Sequence, residues 1–335
     1  MKQGLNDKKK ENRRLWLLEL SKYIIYGVYF MKLLLFDHDK LGVYKGENIV
    51  DVSDVVSGNT YFSPQEIMND VIANFAIYKS KLQEMVNAND GVPASSVKIS
   101  APLPYPNQLI AMAVNYMEFG ARSAPAPINA FLKSPDSVIG NGDTVELPSA
   151  DAAIFHHEAE LGLVIGKKGF KIEAKDAYDY IFGYVNFIDV SARGLGNGSF
   201  YWGKSWDTFG PMGPCITTAD EISDPQNLDI KLWVNDVLRQ DFNSNDMGHN
   251  IARCIEWVSQ TTVLEPGDII VTGTNHQGLG AIQDGDKIEI EIENLNRLTV
   301  HVKDDLKREW PKGIDQATAD RAAGRTTTGG FGERS

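Results

Sequence analysis

Glu158 and Glu160 are separated by one residue within the apolar segment 155–165. Alternate side chains of an extended strand share a face, so we expect both carboxylates to point the same way. Their mutual repulsion would raise a pKa or destabilise the strand unless a cation lies between them. Oxygen ligands favour a hard divalent ion, so the pair predicts a site for Mg²⁺ or Mn²⁺ rather than zinc. Taken alone, such an alternation more often marks the wet side of a half-buried strand.

Three further motifs with ionisable or polar side chains follow the glutamate pair. They are Asp189-Val190-Ser191-Ala192-Arg193, Lys204-Ser205-Trp206-Asp207-Thr208-Phe209 and Thr272-Gly273-Thr274-Asn275-His276-Gln277-Gly278. In this order, and with Glu158-Ala159-Glu160-Leu161 before them, the motifs resemble the fumarylacetoacetate hydrolase family over residues 104–302. Each motif alone is weak, but the combination is specific.

The resemblance implies a fold and a class of reaction. Family members fold the catalytic region as a mixed β-sandwich roll, so the expected class is mainly β (α+β) with a small N-terminal α/β module. They usually form dimers, and a homodimer is expected here. They act on 2-oxo or 1,3-dioxo acids, and this chain looks like the branch of acylpyruvate hydrolases and 2-hydroxyhepta-2,4-diene-1,7-dioate isomerases.

The resemblance also implies roles for individual residues. Glu158, Glu160 and Asp189 would bind the Mg²⁺ or Mn²⁺ ion. Because three carboxylates leave the site with excess negative charge, an anionic substrate needs additional cations. Arg193 would hold the substrate carboxylate through two parallel hydrogen bonds, and Lys204 would stabilise a developing oxyanion. Without the matching neighbours, these two cations would be interpreted as a strand end and a surface ion pair.

Three other residues are candidate substrate contacts. Lys133 lies in a segment similar to the Phe-x-Lys-x-Pro segment that the family has near the pocket, where support of the metal ligands is an equal alternative. Thr274 could donate its hydroxyl or its backbone N–H from the glycine-flanked turn. Tyr116 could line the cleft, and a buried core tyrosine explains it nearly as well.

The chain departs from the family pattern at the residue expected to activate water. Phe119 stands where many hydrolytic members have a histidine, so another base is needed. His276 is the preferred candidate, because a neutral imidazole near a metal-bound substrate accepts a proton at neutral pH. Glu118 precedes Phe119 and is another candidate catalytic group. His156 could be an outer ligand or a partner of the metal site.

The composition indicates a protein with a substantial core and limits its partners. The 335 residues are 42% hydrophobic and 23% charged, and the net charge of -12 argues against a nucleic-acid-binding protein. Cys215 and Cys254 form neither a disulfide framework nor a metal motif, which favours reduced thiols in the cytoplasm. Charged residues interrupt the apolar part of residues 1–30, so no membrane span is expected.

Turn signals and composition divide the chain into four parts. These are an N-terminal extension at residues 1–30, a small module at 31–104, a catalytic domain at 105–303 and a polar, disordered tail at 304–335. We interpret Met31 as the start of translation. The small module is expected to contain three short strands and then a helix that begins at Ser63 and Pro64 and runs through Met85.

The motifs favour metal-dependent C–C hydrolysis of an acylpyruvate or diketo acid through a metal-stabilised enolate. Because Phe119 replaces the usual histidine, isomerisation, decarboxylation or hydration of a 2-oxo or 2-hydroxydienoic acid is the alternative. The first two need only electron withdrawal by the metal and a proton shuttle. A metal-bearing dicarboxylate-binding protein without activity is the second alternative, and the intact set of carboxylates with Lys204 argues against it.

Overall fold

The computed structural model describes residues 31–195 and 198–325. Its strands are β1 Lys32–Phe36, β2 Lys40–Lys45, β3 Asn48–Asp51, β4 Val92–Pro93, β5 Ile99–Ser100, β6 Leu109–Met112, β7 Ala130–Leu132, β8 Val138–Ile139, β9 Thr144–Glu146, β10 Ile154–His156, β11 Ala159–Ile165, β12 Ile181–Ile188, β13 Ser191–Arg193, β14 Gly210–Thr218, β15 Asp229–Val234, β16 Val237–Asn243, β17 Ile269–Val271, β18 Lys287–Ile292 and β19 Leu298–Lys303. Its α-helices are α1 Pro64–Ala73, α2 Phe75–Ala88, α3 Phe200–Lys204, α4 Ile251–Ser259 and α5 Gln316–Ala322. None of these helices is long and apolar enough to cross a membrane.

The strands next to the acidic residues lie in the interior of a large sheet. Its strand order is β4-β3-β2-β1-β14-β12-β11-β17-β6-β7, with β5 beside β1 and β8 beside β14. Every residue of β11 and β12 is buried, which explains why both strands have nearly continuous apolar sequences. The two strands pair antiparallel, with Ala159 opposite Ile188, so the start of β11 lies beside the end of β12.

A second sheet has the strand order β16-β15-β18-β19-β9 and shares a core with the large sheet. Leu161 and Leu163 of β11 belong to the same buried apolar cluster as Ile230 of β15 and Ile290 of β18. Along β18, fully buried isoleucines alternate with partly exposed charged residues, as expected for a strand with one face on the core. The two sheets confirm the predicted mainly β (α+β) fold.

The three strands predicted at the start of the small module are present, and they extend the large sheet. β1 pairs antiparallel with β14, with Leu33 opposite Ile216. The predicted helix is divided into α1 and α2 at Asn74, whose φ of -114° and ψ of 22° are not helical. Ser63 caps α1 by accepting a hydrogen bond from the backbone N–H of Glu66. The boundary at residue 104 stays a prediction.

Residues 304–325 are ordered, so the prediction of a disordered tail is wrong for this segment. Arg308 and Trp310 donate side-chain hydrogen bonds to backbone carbonyls between residues 148 and 153. The Asp315 side chain caps α5. The polar composition concealed these contacts, because two anchoring side chains are enough to hold a short segment. The predicted extension before Met31 and the rest of the tail lie outside the described residues.

Candidate active site

Three acidic side chains meet where β11 begins and β12 ends. Glu158 immediately precedes β11, Glu160 is its second residue, and Asp189 immediately follows β12. One carboxylate oxygen from each side chain lies within 4.8 Å of the others, and all three residues are buried. Antiparallel pairing of the two strands therefore brings together the metal ligands predicted from the sequence.

Two buried lysines neutralise part of this negative charge. Lys204 Nζ lies 2.6 Å from Glu158 Oε2 and 2.5 Å from Asp189 Oδ2. Burial alone would lower the pKa of Lys204, but the two carboxylates raise it above its usual value. Lys133 Nζ lies 2.8 Å from Asp189 Oδ1 and also contacts the backbone carbonyl of Lys204. Lys133 therefore contacts a predicted metal ligand, as in the alternative that it supports the site rather than binds substrate.

Glu160 has no direct ion pair among the described residues, and this explains why a divalent cation fits the site. Its carboxylate accepts a hydrogen bond from the backbone N–H of Gly273 at 2.7 Å. Burial, reinforced by Asp189, raises the pKa of Glu160 well above its usual value despite the nearby Lys204. A buried group of carboxylates with one uncompensated member matches the oxygen ligands that Mg²⁺ and Mn²⁺ prefer.

Arg193 connects the acidic cluster to His156. Its Nη2 atom donates to Glu158 Oε1, and its Nε atom donates to His156 Nδ1 at 3.2 Å. Burial would raise the pKa of Glu158, but Lys204 and Arg193 hold it below its usual range. The Arg193 side chain is 26% exposed, whereas that of Lys204 is 7% exposed. Arg193 is therefore the more accessible cation for an incoming anion.

Glu118 and His276 form a hydrogen-bonded pair. His276 Nδ1 lies 2.7 Å from Glu118 Oε1, and the backbone N–H of His276 donates to Oε2 at 3.0 Å. The two residues follow β6 and β17, which are parallel neighbours, so both segments leave the same edge of the sheet. Glu118 has a φ of +57°, which is uncommon for a residue other than glycine. The structure thus unites two residues that were separate candidates.

Glu158, Glu160 and His276 line one small cavity of about 60 Å³. Its polar lining includes Glu158, Glu160, Arg193, Lys204, Thr274 and His276. Phe131 and Phe200 stack with ring centroids 4.6 Å apart and form an apolar wall. A larger groove of about 860 Å³ lies beside β2 and β3, but none of the predicted site residues lines it.

Gln240 was not among the predicted site residues, yet it holds the Thr274 turn against β11. Its amide nitrogen donates to Thr274 Oγ1 and to the carbonyl of Asn275, both at 2.8 Å. Its amide oxygen accepts a hydrogen bond from the backbone N–H of Ala159 at 3.1 Å, and Ala159 is the residue between the two glutamates. No local pattern in β16 marks this residue, because its role depends on contacts with distant segments.

Tyr116 lies in the core and does not line the cavity. Its ring packs edge-on against Phe242, with centroids 5.1 Å apart, and the residue is 1% exposed. Burial, reinforced by the charge of Glu160, raises the pKa of the Tyr116 hydroxyl well above its usual value. The structure therefore corrects the expectation of a substrate contact in favour of the core tyrosine.

We expect Tyr116→Phe to leave kcat and KM within about twofold of the wild-type values. Because the ring and its packing are kept and the buried hydroxyl has no hydrogen-bond partner among the described residues, the free energy of unfolding should change by less than about 1.5 kcal/mol. Steady-state kinetics and urea unfolding measure the two effects. A large rise in KM at unchanged stability would show that Tyr116 contacts the substrate.

Comparison with known proteins identifies similar sequences and structures. Residues 107–303 match the family model described as Fumarylacetoacetate (FAA) hydrolase C-terminal. The chain is 38% identical over 220 residues to oxaloacetate tautomerase YisK of Bacillus subtilis (strain 168), which is 61% of this chain and 73% of that protein. The crystal structure of maleylpyruvate hydrolase from Sphingobium sp. SYK-6 in complex with manganese(II) ion and pyruvate is 36% identical with a TM-score of 0.75, and the match covers 82% of this chain and 99% of that one. The structure of 2-hydroxyhepta-2,4-diene-1,7-dioate isomerase from Mycobacterium marinum is 28% identical with a TM-score of 0.63. This match covers 82% of this chain and 99% of that one.

Proposed function

Since this chain belongs to the fumarylacetoacetate hydrolase family of enzymes, as its motifs predicted, we propose that it is a divalent-metal-dependent hydrolase that cleaves a C–C bond in a small acylpyruvate. The observation that carries the proposal is the pair of His276 and Glu118, because His276 lines the same cavity as Glu158 and Glu160. A relative that matches over most of the chain is named a maleylpyruvate hydrolase and was crystallised with manganese(II) and pyruvate, which supports both the metal and the 2-oxo acid.

Each cation and carboxylate of the cavity has a role in this reaction. Glu158, Glu160 and Asp189 would hold Mg²⁺ or Mn²⁺, which when bound polarises a 2-oxo group and stabilises an enolate. Arg193 would bind the substrate carboxylate, because its planar guanidinium suits two parallel hydrogen bonds. Lys204 would keep the acidic cluster close to neutral and offer an N–H to a developing oxyanion.

His276 would be the general base. A carboxylate only accepts hydrogen bonds, so Glu118 holds the imidazole proton on Nδ1 and leaves Nε2 as a proton acceptor. The imidazole would take a proton from water, and the resulting hydroxide would attack the acyl carbonyl. Cleavage of the adjacent C–C bond would then release a carboxylic acid and the enolate of pyruvate, and the imidazolium would return its proton to the enolate carbon to give pyruvate. In this way the loop after β17 would supply the base, because Phe119 stands where other hydrolytic family members have a histidine.

Keto–enol tautomerisation of a compact 2-oxo acid such as oxaloacetate is the second candidate. The cavity is small, about 60 Å³, and one side of it is the apolar wall of Phe131 and Phe200, so it favours a compact substrate. The same imidazole would move a proton between carbon and oxygen, and no water would attack carbon. No comparable observation favours decarboxylation, hydration or a binding protein without activity.

A substrate screen with Mn²⁺, Mg²⁺ or EDTA tests the proposal. With maleylpyruvate or another acylpyruvate and Mn²⁺, we expect metal-dependent formation of pyruvate and a carboxylic acid, measured by absorbance and mass spectrometry. Accelerated ketonisation of enol-oxaloacetate without a change of mass would instead support tautomerisation. Release of CO₂ would identify a decarboxylase, and binding of these acids without turnover would identify a binding protein.

Three other expectations belong with this proposal and stay predictions. They are the choice between Mg²⁺ and Mn²⁺, the homodimer and the cytoplasmic location. Cys215 and Cys254 are free and buried in the structure, which agrees with reduced thiols. Titration calorimetry with each metal and light scattering would address the first two.

A further inference from the structure

The ordered segment 304–325, here called the C-terminal strap, begins where the match to the family model ends. It is held against the site by hydrogen bonds to backbone carbonyls. The Asp315 N–H donates to the carbonyl of Leu279 at 2.7 Å, and Arg122 Nη1 donates to the carbonyl of Ala322 at 2.6 Å. The strap therefore packs against the loop that carries His276 and against the segment that follows Glu118.

One side chain of the strap extends this contact to the acidic cluster. Asp315 Oδ2 lies 3.1 Å from His156 Nε2, within hydrogen-bonding distance although the approach is not linear. The opposite ring nitrogen of His156 accepts the hydrogen bond from Arg193 Nε at 3.2 Å. Arg193 in turn contacts Glu158. The His156 and Asp315 side chains are 0% and 3% exposed, so water does not compete for these contacts.

The direction of these contacts follows from the donors and acceptors. An arginine nitrogen only donates, so His156 Nδ1 has to present its lone pair and the ring proton belongs to Nε2. The nearest acceptor is Asp315 Oδ2, 3.1 Å from Nε2, and a carboxylate only accepts. Asp315 therefore favours the tautomer of His156 that carries its proton on Nε2. In this tautomer Nδ1 is free to accept the hydrogen bond from Arg193, so Asp315 orients a site residue without contacting the site itself.

We propose that Asp315 is a positioning residue which, through His156, fixes the Arg193 guanidinium for binding of the substrate carboxylate. This inference rests on the proposed function, in which Arg193 binds that carboxylate. The C-terminal strap lies outside the region that matches the family model, and with this role it contributes to the site. Without Asp315 the ring proton of His156 would occupy either nitrogen. With the proton on Nδ1, the hydrogen bond from Arg193 Nε to His156 would be lost.

Asp315→Asn is the sharpest test, because it keeps the helix cap. The Oδ1 atom accepts the Thr318 N–H at 3.2 Å, and asparagine caps helices as well as aspartate. The new NH₂ group replaces Oδ2 and presents a donor to the donor on His156. The Thr318 hydroxyl, which donates to Oδ2 at 2.7 Å, has to rotate and accept from the NH₂ group instead. With Mn²⁺ bound, we expect the Kd for pyruvate to rise about tenfold, with a similar rise in KM and a smaller change in kcat. The Kd for Mn²⁺ alone should change by less than about threefold, since its ligands stay in place.

Asp320→Asn is the matched control, because it removes the same charge from the same helix and Asp320 contacts Arg325. It should bind pyruvate like the wild type. A second readout is ¹⁵N NMR of the histidine rings in the metal-free protein. We expect the Nε2–H tautomer for His156 in the wild type and the Nδ1–H tautomer in Asp315→Asn.

An Nδ1–H tautomer of His156 in the wild type would overturn the inference even if the variant failed to fold. Weaker pyruvate binding by Arg193→Gln, with wild-type binding by Asp315→Asn, would overturn the role of Asp315 and leave the proposed function intact. Wild-type binding by both variants would overturn the Arg193 clamp of the proposed function as well.

Discussion

Glu160→Gln is expected to abolish Mn²⁺ binding and turnover together. The substitution keeps the size of the side chain but removes the one carboxylate of the acidic cluster that has no direct ion pair among the described residues. Loss of an outer contact costs a metal site about ten- to a hundredfold in affinity, so loss of a ligand should cost at least about a hundredfold. Asp189→Asn should act in the same direction.

The same substitution should not destabilise the metal-free protein. The pKa of Glu160 is raised in the folded state, so the folded protein binds the proton more tightly than the unfolded chain. The carboxylate therefore lowers stability as pH rises above the usual glutamate value, and glutamine removes this cost. In EDTA at neutral pH, we expect Glu160→Gln to be at least as stable as the wild type, with a difference that shrinks as the pH is lowered.

Calorimetric titration with Mn²⁺ and thermal unfolding in EDTA measure the two effects. Glu146→Gln is the matched control, because Glu146 is an exposed strand glutamate and should change neither. Wild-type Mn²⁺ affinity in Glu160→Gln would show that Glu160 is not a ligand of the ion. A strong loss of stability without metal would show that the carboxylate is structural.

His276→Ala is expected to lower kcat by about a hundredfold to ten-thousandfold, the usual contribution of a general base. Mn²⁺ affinity should be unchanged, because His276 is not one of the clustered carboxylate ligands. Glu118→Gln should also slow the reaction, since an amide can present a donor to Nδ1 and no longer fixes the tautomer. If the two residues act as a unit, the double variant should be no slower than His276→Ala.

These rates are measured at saturating Mn²⁺ with the substrate that the screen identifies. His301→Ala is the control, because His301 is an exposed histidine on β19. A His276→Ala enzyme with the full wild-type rate would exclude His276 as the base. A rate loss that is matched by a loss of Mn²⁺ affinity would assign His276 to the metal site instead.

The sequence was sufficient wherever the relevant residues are neighbours in the chain. Glu158 and Glu160 share a strand, and their spacing predicted adjacent carboxylates because strand geometry is local. Motif order added Asp189 and the Lys204 segment, and the fold class followed from the same resemblance. The short strands near Met31 were also predictable, because their turns and apolar residues are local signals.

Only the tertiary structure decided which distant segments meet. Glu118 and His276 pair because β6 and β17 are parallel neighbours, and no periodicity of either strand reports its partner. Tyr116 could have faced the cavity or the core, since both environments suit its ring. Asp315 lies in a polar segment that composition assigned to disorder, yet it contacts His156. Long-range pairing and the burial it creates determine these roles, and a local pattern contains neither.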